Sequence, residues 1–113
     1  MKEEFDFNYT QGDFRKQFKL LKNYPNSDLL LFNSVMEGEL SLVIHAVKKG
    51  VKNVYFRDTA LSTASSHGHL HIVKYLVENG ADVHTRNDNP VKIADRNGHL
   101  DVVKYLIEQG ANL

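Results

Sequence analysis

Between Leu70 and Glu78 the apolar residues are Leu70, Ile72, Val73, Leu76 and Val77, and the polar ones are His71, Lys74, Tyr75 and Glu78. Spacings that mix three and four residues predict a helix and not a strand, with its polar residues gathered in one narrow stripe. A helix apolar over most of its circumference has to be covered on more than one side, which stacked neighbours can do and a lone hairpin cannot. The pattern returns thirty residues on. Gly68-His69-Leu70-His71-Ile72-Val73-Lys74-Tyr75-Leu76-Val77-Glu78-Asn79-Gly80 is followed by Gly98-His99-Leu100-Asp101-Val102-Val103-Lys104-Tyr105-Leu106-Ile107-Glu108-Gln109-Gly110, identical at nine of thirteen positions. Self-similarity at such a period marks a repeat protein. Gly80 and Gly110 stand where a helix ends most cheaply in a left-handed cap.

Fainter copies lie upstream. Gly38 and Gly50 precede Gly68 and Gly80 by thirty residues, and Leu40, Leu42, Val43 and Val47 fall on the apolar positions of the later copies. This predicts a helix from Leu29 to Met36, capped by Asp28, and a second from Glu39 to Lys49. Further back, Phe14 to Asn23 reads as a helix capped by Asp13, a degenerate repeat whose outer face is polar, as the end of a stack requires. Tyr24-Pro25-Asn26-Ser27 is a turn, and residues 1–12 are acidic and aromatic without a period. The connectors Gly50–Asp58 and Gly80–Asp88 are equal in length. Each leads to a short helix, Thr59–Ser66 and Asn89–Asn97, with Thr59 and Asn89 as caps and Pro90 in the first helical position. Ala60, Thr63, Ala64 and Ala94 let the backbones of these helices approach closely. The expected architecture is an all-α solenoid in one domain: a segment 1–27 with its capping helix, then repeats over 28–57, 58–87 and 88–113.

Composition narrows the function. Fourteen basic and fourteen acidic residues cancel, so no global field draws the chain to nucleic acid or an anionic membrane. The absence of cysteine excludes a disulfide framework, thiolate catalysis and a cysteine-ligated zinc site. No apolar run reaches the roughly 20 residues of a membrane span, and Met1-Lys2-Glu3-Glu4-Phe5-Asp6 lacks the build of a signal peptide. An intracellular protein, cytoplasmic or nuclear, is expected.

Thr59-Ala60-Leu61-Ser62-Thr63-Ala64, then Gly68-His69 and Gly80-Ala81-Asp82-Val83, resembles an ankyrin repeat, whose first helix reads T-P-L-H-x-A. Asn89-Pro90-Val91-Lys92-Ile93-Ala94 is the next copy. The resemblance implies an ankyrin solenoid of three repeats behind the degenerate capping helix. Two departures stand out. Ser62 and Lys92 replace the signature histidine, so the hydrogen bonds it makes between loops are replaced or lost. The period is thirty, not 33, and the deficit falls in the connector, which predicts tight turns in place of the family's β-hairpin fingers. Such short repeats are similar to those of ankyrin-repeat proteins of giant DNA viruses that infect amoebae, which would place the chain in a host cell.

The resemblance also implies function. Ankyrin repeats mostly bind other proteins through a concave face made of connector tips and the exposed side of the short helices. Position by position that face holds Met36 and Glu37 in the first repeat. It continues with Tyr55, Phe56, Arg57, Asp58, Ser66 and His67 in the second, and Arg86, Asn87, Asp88, Arg96 and Asn97 in the third. Tyr55, Phe56 and the arginines are of types enriched at binding hot spots. Tyr55 and Phe56 could equally pack against the neighbouring connector, whereas Arg57 and Arg86 are expected to be exposed.

Other chemistries fare less well. His67, His69 and His71 alternate, but Gly68 interrupts them, and residues two apart on a helix point about 200° apart and cannot share an ion. No metal or cofactor is expected. Ser62, Ser65 and Ser66 lack an oriented base, and the glycines are spaced as helix stops and not as a phosphate loop, so no enzyme is expected. Arg15, Lys16, Lys19 and Lys22 offer the alternative, a basic helix for nucleic acid or an acidic protein. Finally, the last long helix is followed directly by Leu113. That predicts an apolar end adapted locally, covered by a partner or a second copy, or continued in a longer chain.

Overall fold

The computed structural model describes residues 14–51 and 54–113, which form seven helices and no strand. These are α1 (Phe14–Asn23), α2 (Ser27–Glu37), α3 (Leu40–Gly50), α4 (Val54–His67), α5 (Leu70–Glu78), α6 (Thr85–Arg96) and α7 (Leu100–Glu108). Asp13 and the stretch 1–12 lie outside the described residues. Three hairpins, α2–α3, α4–α5 and α6–α7, stand side by side: α4 packs on α2 and α6, and α5 on α3 and α7. The result is an elongated body of 43 × 26 × 19 Å. This is the all-α solenoid that the thirty-residue period predicts.

The period is visible in the core. Leu42, Val43 and Ala46 of α3, Ile72, Val73 and Leu76 of α5, and Val102, Val103 and Leu106 of α7 are buried at equivalent positions. Helices α2, α4 and α6 add Leu31, Leu61 and Val91; at 11, 14 and 12 residues they are not shorter than α3, α5 and α7, at 11, 9 and 9, against the expected order of a short helix and then a longer one. No helix among the described residues is long and apolar enough to cross a membrane.

Each hairpin turns at a glycine. Gly68 has φ +73°, and the following His69 donates its N–H back to the Ala64 carbonyl at 3.0 Å. His99 does the same to Ala94 at 2.9 Å, so a carbonyl near the end of α4 and of α6 is satisfied. A Cβ on Gly68 would stand 2.5 Å from the His99 ring, and one on Gly38 would stand 2.8 Å from the His69 ring. The turn glycine of one repeat is therefore the seat for the histidine of the next.

Three boundaries differ from the sequence expectation. Asn26, not Asp28, caps α2: its Oδ1 accepts from the Asp28 N–H at 2.8 Å and the Leu29 N–H at 3.4 Å, and the helix begins at Ser27. The first connector is shorter than expected because α4 starts at Val54, which places Thr59 inside the helix. The second keeps the tight turn that the short period predicts, and its right-handed helix begins after Asp88, so Asn89 lies just inside the helix and not at its cap. Arg86, Asn87 and Asp88 have φ of 50°, 58° and 61°, a left-handed turn running into the right-handed part of α6.

The cause is Pro90. A right-handed helix continued back through Arg86 would press the proline ring against the Arg86 carbonyl and offer it no N–H. Ala60, the equivalent residue of α4, does neither. Asn and Asp tolerate the left-handed region better than other side chains. Here Lys92 Nζ donates to the Asn87 carbonyl at 2.7 Å, and the Asp88 N–H to the His84 carbonyl at 3.1 Å.

Candidate functional site

Helices α2, α4 and α6 share a register of thirty residues, so their exposed sides form rows. Leu29, Asn33 and Met36 on α2 correspond to Thr59, Thr63 and Ser66 on α4 and to Asn89, Ile93 and Arg96 on α6, and none of the nine is buried. Phe32, Ser62 and Lys92 border them. The residues between are core: Leu31, Leu61 and Val91 at one equivalent position, and Ser34, Ala64 and Ala94 at another, are fully buried. Packing against α3, α5 and α7 thus fixes which side of α2, α4 and α6 faces out. Asn33 Nδ2 and Thr63 Oγ1 donate back to the Leu29 and Thr59 carbonyls, four residues earlier, at 2.8 and 3.0 Å. These bonds hold the polar side chains low along the helix.

Several residues assigned to this face by the sequence have internal partners. Asp58 Oδ1 accepts from the Asp82 N–H at 2.9 Å, and Asp88 Oδ1 from the Asn112 N–H at 3.2 Å. Asp58 thereby ties α4 to the loop after α5, and Asp88 ties α6 to the residues after α7. Asp88 also accepts from His84 Nδ1 at 2.7 Å, and this bond, with that from Asn112, lowers its carboxyl pKa below the usual value. Ser66 offers its carbonyl to Asn97 Nδ2 at 2.9 Å and to His99 Nε2 at 3.0 Å. These bonds join the glycine turns of the second and third repeats.

Arg57 is half-buried, against the expectation of exposure. Its Nη1 donates to the Asn79 carbonyl at 3.4 Å, at the C-terminus of α5, where the helix dipole favours a cation. Phe56 packs against the core, the second of the two readings left open for it. The Tyr55 side chain lies outside the described residues. Glu37 is bound by Lys16 of α1 at 2.7 Å. His67 is exposed, donates Nδ1–H to the Thr63 carbonyl at 2.9 Å, and stacks on His69 at 5.8 Å between ring centroids.

Of the expected residues, Met36, Glu37, His67, Arg86, Asn87, Arg96 and Asn97 are exposed. Sequence reasoning missed Leu29, which is 52% exposed. The signal was there: Leu29 is seven residues, two helical turns, before Met36. On the opposite side, an open groove of about 780 Å³ runs along the N-termini of α3 and α5, past Glu39, Ile44, His69 and Asp101. Among the described residues no three His, Asp or Glu side chains gather to hold a metal ion. At the far end of the stack Leu100 and Ile107 are exposed, while Asp95 occupies the position at which Val35 and Ser65 are buried.

A family model described as Ankyrin repeats (3 copies) matches residues 20–113. No curated protein matches the chain.

Proposed function

The chain belongs to the ankyrin-repeat family, whose members are generally protein–protein interaction modules, and from that premise we propose that it is a non-catalytic module binding a protein partner through the exposed rows of α2, α4 and α6. The observation that carries the reading is the shared register. Three helices whose inner positions are equivalent and buried present outer positions that differ in every repeat, from Met36 to Ser66 to Arg96. A scaffold that holds its core constant and varies one face is suited to recognition. The site is narrower than the set first assigned by sequence. Asp58, Asp88, Ser66, Asn97 and Arg57 hold the repeats together, and Met36, Arg86 and Arg96 meet the partner.

The alternative, binding through α1, has less support. Lys16 is engaged by Glu37, and α1 also gives Gln17 to the interior, where its Nε2 donates to Glu39 at 3.0 Å. Helix α1 is first a cap on the stack.

The absence of cysteine makes the test direct. Met36→Cys and Arg96→Cys each take a bulky maleimide label on the proposed face, and Glu108→Cys takes it on α7, away from that face. With partners captured by the unmodified chain, label at either of the first two positions abolishes binding and label at the third leaves it intact. The opposite pattern rejects the proposed face.

A further inference from the structure

We infer that the outer side of the α6–α7 hairpin is a second docking surface, for a helical hairpin of another protein that brings a histidine at its turn and an aromatic ring further along the same helix. The ground is the junction by which the repeats hold one another. A turn glycine of one repeat seats the imidazole of the next: a Cβ on Gly38 would stand 2.8 Å from the His69 ring, and one on Gly68 would stand 2.5 Å from the His99 ring. The same ring bonds a carbonyl two residues before that glycine. His69 bonds the Met36 carbonyl, and His99 Nε2 donates to the Ser66 carbonyl at 3.0 Å. Gly98 repeats the turn with φ +78°, and the Arg96 carbonyl holds the third place in the series. This seat is open: a Cβ on Gly98 would meet nothing within 4 Å among the described residues.

The surface around the seat continues the same interface. Leu100 and Ile107 are 71% and 47% exposed, whereas their equivalents Leu70 and Val77 are half-buried, with α7 packed on α5. Lys104 is exposed, whereas the Lys74 ammonium stands 5.6 Å from the centre of the Tyr105 ring. What fits is therefore an imidazole donor for the carbonyl, apolar cover for the two aliphatic side chains and a ring for the lysine. Asp95 adds a condition. It is exposed where Val35 and Ser65 are buried, so the occupant also brings a hydrogen-bond donor for its carboxylate. A second copy does not qualify. Its first hairpin carries Glu39 at the place of His69 and His99, an acceptor where the seat needs a donor. Glu39 is moreover buried and takes a bond from Gln17 Nε2 at 3.0 Å, with α1 packed on α2.

The probe is a copy of residues 84–113 appended after Leu113, which continues the thirty-residue register and carries a histidine and a tyrosine to the open seat. Original and extended chains both carry Asp95→Ser, which meets the remaining condition. Urea unfolding should show the extended chain to be the more stable. Gly98→Ala should then raise the unfolding equilibrium constant at least about fivefold more in the extended chain than in the original. Alanine in place of the appended histidine should remove that difference. An equal effect of Gly98→Ala in both chains overturns the seat. Among proteins captured by the unmodified chain, a partner of this surface is lost when the copy is appended and survives maleimide label on Met36→Cys. A partner of the exposed rows does the reverse, so the two readings fail separately. Capture unchanged by the appended copy overturns the docking surface. So does a light-scattering mass that rises with concentration in the original chain and not in the extended one, which assigns the surface to a second copy.

Discussion

Helices α4 and α6 hold equivalent places in successive repeats, and the chain enters them by different paths. Before α4 the right-handed helix runs back to Val54; before α6 the backbone makes a left-handed turn through Arg86, Asn87 and Asp88. Yet Asp58 and Asp88 end in the same place, each accepting from a backbone N–H twenty-four residues on. The stack therefore requires the position of the carboxylate and leaves the route of the connector open. Phe56 in the core and Asn87-Asp88 in the turn favour the two routes taken, while proline at 90 forbids the right-handed route that alanine at 60 permits.

The largest expected effect exchanges those residues. Ala60→Pro sets a ring against the Phe56 carbonyl inside a continuous helix and removes the bond that residue 60 donates, a loss of about 3 kcal/mol or more. The left-handed detour is closed to this repeat, because Phe56 is packed in the core and Arg57 is tied to the end of α5. Urea unfolding measures the loss; a change below about 1 kcal/mol would show that the connector reroutes freely. In the reverse exchange, Pro90→Ala frees the right-handed helix to run back, and far-UV circular dichroism should gain about one turn of helix.

A second pair separates backbone strain from the seat of the histidine. Gly68 and Gly98 have φ of +73° and +78°, so alanine at either costs about 1–2 kcal/mol of left-handed strain. Only at Gly68 does the new Cβ collide with the His99 ring; at Gly98 no other described residue lies within 4 Å. Overpacking adds about 1–3 kcal/mol. Gly68→Ala should therefore unfold at clearly lower urea than Gly98→Ala, by that margin. Equal midpoints would mean that the imidazole moves aside without cost.

Helices α5 and α7 and the glycine turns were legible because the repeat compares the chain with itself: residues 68–80 and 98–110 are identical at nine of thirteen positions. The start of α4 was not: residues 54–58 and 84–88 hold equivalent connector positions, and the apolar Val54 and Phe56, with Ala60 in place of Pro90, were the only signs that the first continues as helix. The site was legible in part for a related reason. Met36, Ser66 and Arg96 follow from counting thirty. Arg57 was misplaced because the carbonyl that takes its guanidinium, on Asn79, is twenty-two residues away and is brought near only by the hairpin. The partners of Asp58 and Asp88 are each twenty-four residues away and equally invisible in the sequence, and Leu29 lies in the first turn of α2, away from the connector tips and last turns where the family pattern puts the face.

The smallest effect is a slope with pH, and it tests the junction that the second repeat makes with the first. His69 has its pKa lowered from 6.5, chiefly by burial and next by the charge of His67 beside it, with His99 and Lys16 adding to the effect and a bond to the Met36 carbonyl opposing it. Burial prevails. The folded protein then binds the proton less readily than the unfolded chain, so His69 favours folding fully above about pH 6.5 and loses that contribution as pH falls through its lowered folded value. Urea midpoints measured from about pH 7.5 down to 5 should decline toward acid. His69→Gln, which keeps an N–H donor without the titrating ring, should flatten the decline. The same slope in the variant would assign the pH dependence to other groups and leave His69 as packing alone.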